Sequence, residues 1–323
     1  MPWYHTFELV TVVPFLFIGF LKAHNRGKRD YMEQTFSDLM ALTLGDIGLP
    51  SDHLVWKALL LTIISLLVGI LGGFVGLALG TIRLPALLLL GTPAAIAGGT
   101  NIMVSSLSSP SGAIKHWRGG RVDMRIVIVM GIPAFAGAFA GGFLSGVIHE
   151  GILLFLAGLL VLWQGVEFII IYQNRVKSGQ STSPLFGAGL EGSSGLFTPG
   201  RVSAEAGIGL GVGLLGGAVG LILGSIRLPA LVRVLKIDPR IAAGSNLFIG
   251  FFMGAVGWIG HASQGKVDYP VLILMGAGAM VGSWYGAKLT GKVNLNTLIL
   301  TMGFVLLAVG LLLACRGALP LFQ

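Results

Sequence analysis

Long apolar stretches, separated by short polar or glycine-rich breaks, follow one another along most of the chain. In the first half the apolar pieces span 54–71, 76–92, 94–115, 126–148 and 151–172. In the second half they span 205–215, 220–235, 240–261, 269–290 and 295–315. A helix of about 20 apolar residues crosses a ~30 Å hydrocarbon core, and 126–148 holds that many without a charge. The pattern predicts an all-α polytopic membrane protein.

The two halves carry nearly the same motif. Residues 72–87 read GGFVGLALGTIRLPAL and residues 216–231 read GGAVGLILGSIRLPAL, identical at thirteen of sixteen positions. An asparagine, a histidine and an aspartate then recur at one spacing, as Asn101, His116 and Asp123 and again as Asn246, His261 and Asp268. The chain is therefore predicted to be a duplicated unit whose paired residues face a shared axis.

The duplication sets the expected domain boundaries. Residues 1–53 hold a hydrophobic segment at 7–21, predicted to be an extra N-terminal helix, and a mixed-charge cytoplasmic connection. Residues 54–177 form the first transmembrane repeat, 178–204 a Ser/Gly-rich linker, and 205–323 the second repeat. Each repeat is expected to hold about four transmembrane helices and a re-entrant or broken segment.

Composition agrees with a membrane protein. Only 11% of the residues are charged and the mean hydropathy is +0.87, whereas about 25% of residues are charged in soluble domains. The net charge of +8 comes from basic residues scattered singly at segment ends, which indicates membrane topology rather than nucleic-acid binding. The single cysteine, Cys315, excludes disulfides and thiolate metal sites within one chain. No cofactor and no metal site is expected.

The topology depends on whether the second piece of each half crosses the membrane. If 76–92 re-enters without crossing, each repeat crosses four times, the copies are parallel, and 14 of the 21 basic residues lie inside. With five crossings the copies would be inverted and the basic cluster at 115–125 would face outward. The positive-inside rule favours four crossings, with the N-terminus outside and the C-terminus inside.

An arginine recurs within each short apolar piece. Arg83 and Arg227 stand two residues before Pro85 and Pro229, just after a glycine-rich break. A charge at the bilayer centre costs about 2.5–3.5 kcal/mol, and irregular backbone persists there only where it lines a cavity. Free backbone N–H groups and a guanidinium together bind anions. We expect both arginines to meet in one polar cavity, unless they snorkel to lipid headgroups instead.

Small polar residues follow in each copy. GGTN at 98–101 precedes Ser105 and its neighbouring serines, and AGSN at 243–246 contains Ser245. Asn101 and Asn246 could donate hydrogen bonds to an anion. The alternative is that they hold helices together by hydrogen bonds.

Titratable residues close each polar stretch. His116 and His261 end the asparagine-bearing helices, and Asp123 and Asp268 follow in GRVD and GKVD. One interpretation makes each aspartate the cap of the next helix, with the histidine near the headgroups. The other is a proton relay, in which we expect His261, with the less crowded neighbours, to be the proton-linked residue. Glu167 is the other acid expected within the hydrocarbon.

This ordered set, in duplicate, resembles the TauE/SafE family of membrane permeases over about 58–172 and 206–312. The matching positions are Gly72, Gly73, Gly76, Gly80, Pro85, Asn101, His116 and Asp123, with Gly216, Gly217, Gly220, Gly224, Pro229, Asn246, His261 and Asp268. The chain differs in its extra N-terminal segment, in its interrupted glycine run, and in having Arg before each Pro, where relatives often carry an aliphatic residue.

The resemblance implies a secondary transporter for sulfite, organosulfonates or related anions in the cytoplasmic membrane. The expected substrate-binding residues are Gly72, Gly73, Gly76, Arg83, Pro85, Asn101, Ser105, Gly216, Gly217, Gly220, Arg227, Pro229, Ser245 and Asn246. The expected partners are a small anion and the lipid bilayer, without nucleic acid, for a monomer or homodimer. Two alternatives stay open: an enzyme acting on a lipid pyrophosphate, and an anion channel.

Overall fold

The computed structural model describes residues 28–75, 79–177, 199–235, 237–289 and 295–319. The hydrophobic segment at 7–21, Gly76 and most of the linker lie outside the described residues. The described part of the chain is helical and contains no strand, only an isolated bridge between Thr43 and Leu54. The predicted all-α fold is confirmed.

Twelve helices are numbered here in chain order among the described residues. They are α1 (Lys28–Ala41), α2 (Val55–Val75), α3 (Gly80–Leu89), α4 (Ala94–Leu107), α5 (Pro110–Arg118), α6 (Met124–Leu144), α7 (Glu150–Lys177), α8 (Pro199–Val219), α9 (Gly224–Pro229), α10 (Pro239–Ser263), α11 (Tyr269–Leu289) and α12 (Leu295–Ala318). A π-helical turn, Ala230–Val234, continues α9.

Six of these helices (α2, α6, α7, α8, α10 and α12) are long and apolar enough to cross a membrane. At 21 residues α11 has the length to do so as well. The shorter helices α4 and α5 follow one another across a break at Ser108–Ser109 and together match α10 in the second copy. The protein is a multi-pass membrane protein.

Each copy packs its helices against the other copy. Helix α2 runs parallel to α11, because a Cβ on Gly278 would meet Thr62 and one on Gly282 would meet Leu66. Helix α6 packs in the same way on α8, and α7 packs antiparallel to α12. Glycines at these crossings let the backbones touch, as in other membrane helix pairs. Neither copy buries its helices alone.

The short helix α3 returns the chain to the end where α2 began. The Nζ of Lys57, near the start of α2, donates to the carbonyl of Leu90, 2.8 Å away. The hydroxyl of Thr92 lies 3.2 Å from Nε2 of His53. Since α2 leads away from His53 and Lys57, the segment between α2 and Leu90 must lead back. The expected broken helix is present, but the prediction that it leaves and re-enters at one face, with parallel copies, is wrong.

The two copies are consequently inverted relative to each other. The first copy begins at the end of the bundle that holds Lys57, called here the Lys57 face, and passes through it five times, as α2, α3, α4–α5, α6 and α7. The second copy then begins at the opposite end, called the Arg121 face, where Arg125 of the first copy meets Glu205 of α8. Inverted repeats with broken helices are a common plan of secondary transporters.

Basic side chains are divided unequally between the two ends. Those with described side chains at the helix ends of the Arg121 face are Arg118, Arg121, Arg125, Arg175 and Lys177. Those at the Lys57 face are Lys57, Lys266 and Arg316. By the positive-inside rule, this distribution favours a cytoplasmic Arg121 face.

Candidate functional site

Arg227 lies on α9 and is held on all sides by its own copy. Its side chain is completely buried. Nε donates to Oδ1 of Asn246 at 2.9 Å, Nη1 contacts Sδ of Met253 at 3.0 Å, and Nη2 donates to the carbonyl of Asn246 at 3.3 Å. Asn246 in turn donates from Nδ2 to the carbonyl of Gly224 at 3.1 Å. The asparagine of α10 therefore locks the arginine to the start of the broken helix.

Arg83 occupies the matching position on α3 but is held by a single hydrogen bond. Its Nη2 donates to Oγ of Ser108 at 3.3 Å, at the break between α4 and α5. The side chain is 1% exposed, so water cannot replace the missing partners from bulk solvent. Within the described residues, its Nε and Nη1 have no hydrogen-bond partner. Neither Arg83 nor Arg227 forms an ion pair with a described carboxylate.

Asn101 explains part of the difference between the arginines. Its Nδ2 donates to the carbonyl of Gly220 in the second copy, 2.9 Å away, whereas Asn246 bonds within its own copy. Gly220 has a φ of +79° and lies against Gly98, a conformation and a closeness that only glycine accommodates. The alternative that an asparagine joins helices is thus confirmed for Asn101, whereas Asn246 holds an arginine. Anion binding by either asparagine stays a prediction.

A small polar cavity of about 20 Å³ adjoins Arg227, enough for about one water molecule. Its lining combines both copies: Ser109, Gln164, Ile222, Gly224, Ser225, Arg227, Asn246, Leu247 and Gly250. Arg83 is not among these residues, so this cavity is not shared by both arginines as expected. Both arginines nevertheless lie near the break at Ser108–Ser109, because Ser108 accepts a hydrogen bond from Arg83 and Ser109 lines the cavity beside Arg227.

Reciprocal caps tie the copies together beside this site. The backbone N–H of Asp268 donates to Oγ1 of Thr100 at 3.1 Å, and that of Asp123 donates to Oγ of Ser245 at 2.9 Å. Each carboxylate caps the helix that follows it, through the N–H of Val271 and of Arg125. The capping interpretation of both aspartates is confirmed, and Ser245 joins the copies rather than lining the cavity.

The glycines and prolines expected to bind substrate serve helix packing and helix breaks. A Cβ on Gly73 would meet the backbone of Ser283, one on Gly216 the carbonyl of Leu221, and one on Gly217 the backbone of Ala138. Pro85 lies inside α3 and Pro229 ends α9. Gly72 lies in α2, half-buried. None of them lines the cavity beside Arg227.

His261 lies in the last turn of α10 and is buried between helices. Its Nε2 lies 2.7 Å from the carbonyl of Gly217, and its Nδ1 lies 2.9 Å from Oγ of Ser145. The ring is 0% exposed, so the expectation that it is the less crowded histidine is wrong. His116 is half-buried on α5, beside Gly244 of the second copy.

The acids within the helices include one that sequence reasoning missed. Glu167 is half-buried on α7, one turn from the cavity residue Gln164. Glu205 on α8 is completely buried and pairs with Arg125, with 3.6 Å between Oε1 and Nη2. Glu205 directly follows the polar linker, so nothing in its position indicated its burial. The small residues around it are nevertheless typical of close helix packing.

Comparison with known proteins identifies the family. The model of the sulfite exporter TauE/SafE family matches residues 61–313. This chain belongs to the TauE/SafE family. No solved structure matches the chain.

Named relatives are transporters. The probable membrane transporter protein YunE of Bacillus subtilis is 24% identical over 80% of this chain and 97% of its own length. YdhB of the same organism, also a probable membrane transporter protein, is 28% identical over 72% of this chain and 90% of its own. A probable membrane transporter protein of Xylella fastidiosa is 26% identical over 80% of this chain. The TauE/SafE chain described here is a membrane permease.

Proposed function

We propose that this permease moves small sulfur oxyanions, such as sulfite and organosulfonates, across the cytoplasmic membrane by alternating access. The observation that carries the proposal is a pair of wholly buried arginines, Arg83 and Arg227, without a carboxylate partner among the described residues. Each unpaired charge costs about 2.5–3.5 kcal/mol within the bilayer. A bound anion would offset that cost, since a guanidinium and an oxyanion form short, paired hydrogen bonds.

The surroundings suit an anion of a few heavy atoms. Neutral hydroxyl and amide groups, from Ser109, Ser225 and Asn246, line the cavity beside Arg227. A sulfite ion is larger than the single water this cavity holds, so substrate entry requires the helices to move. Two inverted copies around a central site support a rocking movement that exposes the site to either face in turn.

A proton can be coupled to this movement through His261. Its Nε2 faces the carbonyl of Gly217 and therefore carries hydrogen. Protonation would make Nδ1 a donor to Ser145, whose hydroxyl can donate instead to the carbonyl of Gly142 at 2.6 Å. The network takes up a proton by turning one hydroxyl. We propose His261 as the coupling residue, with His116 and Glu167 as the remaining candidates.

The enzyme and channel alternatives find less support. Among the described residues, Ser145 and His261 form a serine–histidine pair, with 2.9 Å between Oγ and Nδ1, yet neither lines the cavity. A phosphatase needs its nucleophile beside the bound substrate. A channel filter is usually formed by a ring of subunits. We further propose that the partners of this protein are its anion and the lipid bilayer, for a monomer or homodimer.

Uptake into proteoliposomes tests the proposal. The panel contains sulfite, thiosulfate, sulfate, taurine and a carboxylate, with and without a pH gradient. Arg83→Gln should lower sulfur-oxyanion uptake at least about tenfold, since a charged hydrogen bond to the anion contributes about 1.5–3 kcal/mol. Arg227→Gln should also lower uptake, because it releases α9 from Asn246 of α10. Arg118→Gln, at an exposed helix end, is the matched control and should not change uptake. Unchanged uptake in both buried variants would refute the assignment.

A further inference from the structure

The two buried arginines make different contacts at matching positions. In the aligned copies, Arg83 matches Arg227, Asn101 matches Asn246, and Ser108 lies where Met253 lies. The bond from Arg227 to Oδ1 of Asn246 has no counterpart in the first copy. There, Nε of Arg83 and Oδ1 of Asn101 are both buried without a partner among the described residues. The arginine and the asparagine are hydrogen-bonded to each other in the second copy, whereas the same atoms in the first copy have no described partner.

Two further polar atoms without described partners lie on α3 and on α4. The hydroxyls of Thr81 and Ser105 are buried and make no hydrogen bond within the described part of the chain. Thr81 is 2% exposed and Ser105 is 0% exposed. A Cβ on Gly80, next to Thr81, would collide with Oγ of Ser105 and lie 3.2 Å from Nδ2 of Asn101. Ser105 and Asn101 of α4 therefore lie against the start of α3, which also carries Thr81 and Arg83. These side chains are called here the α3 cluster.

The α3 cluster offers mainly hydrogen-bond donors. Nε and Nη1 of Arg83 carry three N–H groups, and the two hydroxyls can each donate one more. A buried polar group without a partner costs about 1–3 kcal/mol. Asn101 donates from Nδ2 to Gly220 of the other copy, and its Oδ1, the acceptor that an Arg83 N–H would need, makes no hydrogen bond among the described residues. Thr81 also lies in the first turn of α3, where helix N–H groups point outward and favour an anion.

Resting on the proposed function, we propose that Arg83, with Thr81 and Ser105, is the residue set that binds the oxyanion, and that Arg227 is a positioning residue. Three of the five N–H groups of Arg227, one each on Nε, Nη1 and Nη2, already contact protein atoms. Arg227 holds α9 against α10 through Asn246 and Met253, and so fixes the position of the broken helix in the second copy. The ligand class is a small group with three oxygens on one centre, as in sulfite or a sulfonate, because the set offers several separate donors.

The two roles predict opposite effects on stability and on binding. Arg83→Gln removes a charge that lacks partners, so the thermal unfolding midpoint of the ligand-free protein in detergent should stay equal or rise. It should weaken sulfite and methanesulfonate binding at least about tenfold, as loss of a charged hydrogen bond does. Arg227→Gln removes bonds to Asn246 and Met253, so its midpoint should fall while the dissociation constant changes less than about threefold.

The experiment measures unfolding midpoints and titrations with sulfite and methanesulfonate for both variants and for Arg83→Lys. The lysine variant keeps the charge but not the planar fork, and should bind more weakly than the wild type. If Arg227→Gln does not fold, Met253→Leu removes one contact of Arg227 and should leave binding intact.

Equal loss of binding in the Arg83 and Arg227 variants, or a lower midpoint for Arg83→Gln, would overturn this assignment. If the wild type binds none of the oxyanions, the proposed function fails. The unfolding midpoints of the ligand-free variants still show, independently of binding, whether Arg227 stabilises the fold and Arg83 does not.

Discussion

The seam between α6 and α8 allows a sharp test of how the copies are held together. A Cβ on Gly213 would lie 2.9 Å from both Cα and the carbonyl carbon of Ala134, and closer still to its oxygen. A Cβ on Gly211, two residues away on the same helix, would meet nothing within 4 Å. Ordinary contact begins at 3.4 Å, so Gly213→Ala must move the backbones apart by at least 0.5 Å, the difference 3.4 − 2.9.

Overpacking of this kind costs about 1–3 kcal/mol, whereas Gly211→Ala gains about 0.5–1 kcal/mol from helix propensity. Gly213→Ala gains the same helix propensity, so the two variants should differ by the overpacking cost alone, about 1–3 kcal/mol in the free energy of unfolding. The measurement is SDS-induced unfolding of purified protein, with Gly211→Ala as the matched control. Equal stability of both alanine variants would refute the close approach of α6 and α8.

Three further predictions concern charge, orientation and the buried histidine. Glu205→Gln should destabilise the protein by about 1–3 kcal/mol, because it removes the carboxylate charge that attracts Arg125 at 3.6 Å; the double change Glu205→Gln with Arg125→Met should recover part of this in the same unfolding assay, and an unaltered single variant would contradict the pairing of Glu205 with Arg125. A reporter fused after α12 should report the exterior, since Gly317 packs on Gly151 at the Lys57 face; cytoplasmic activity would contradict the orientation inferred from the basic residues. His261→Gln should retain sulfite binding but abolish the response of transport to a pH gradient, and a persisting response would exclude His261 as the coupling residue.

The class of protein and its duplication could be inferred from the sequence, because hydropathy and repeated motifs are local signals. The paired arginines were located in the same way, since a charge inside an apolar segment has few structural uses. Their burial agrees with that inference. Substrate binding at these positions stays a prediction.

The number of crossings could not be inferred in the same way. Helix α3 has ten residues, too few for a window that searches for about 20 apolar residues. Charge counting then chose the wrong topology, because the count depends on whether this one short helix returns the chain. Only a contact between distant parts of the chain, such as Lys57 with the carbonyl of Leu90, decides it.

The difference between the two arginines also lay beyond the sequence. Both copies contain the same Ile-Arg-Leu-Pro motif and an asparagine at the matching position. The asparagines differ in partner, since Asn101 bonds the other copy and Asn246 its own. Near-identical motifs cannot specify such a difference locally. It arises from how the inverted halves meet.

The exchange of partners between the copies has a consequence for synthesis of the protein. Helix α2 leaves the ribosome early, yet the residues that Gly69 and Gly73 contact, Ala279 and Ser283, are translated some 200 residues later. Until α11 is inserted, the glycine groove of α2 must face lipid or an insertion factor. Translation that stalls within the linker should leave an orphaned half that quality-control proteases can recognise. Separately expressed halves should rescue one another when both are present in the same membrane.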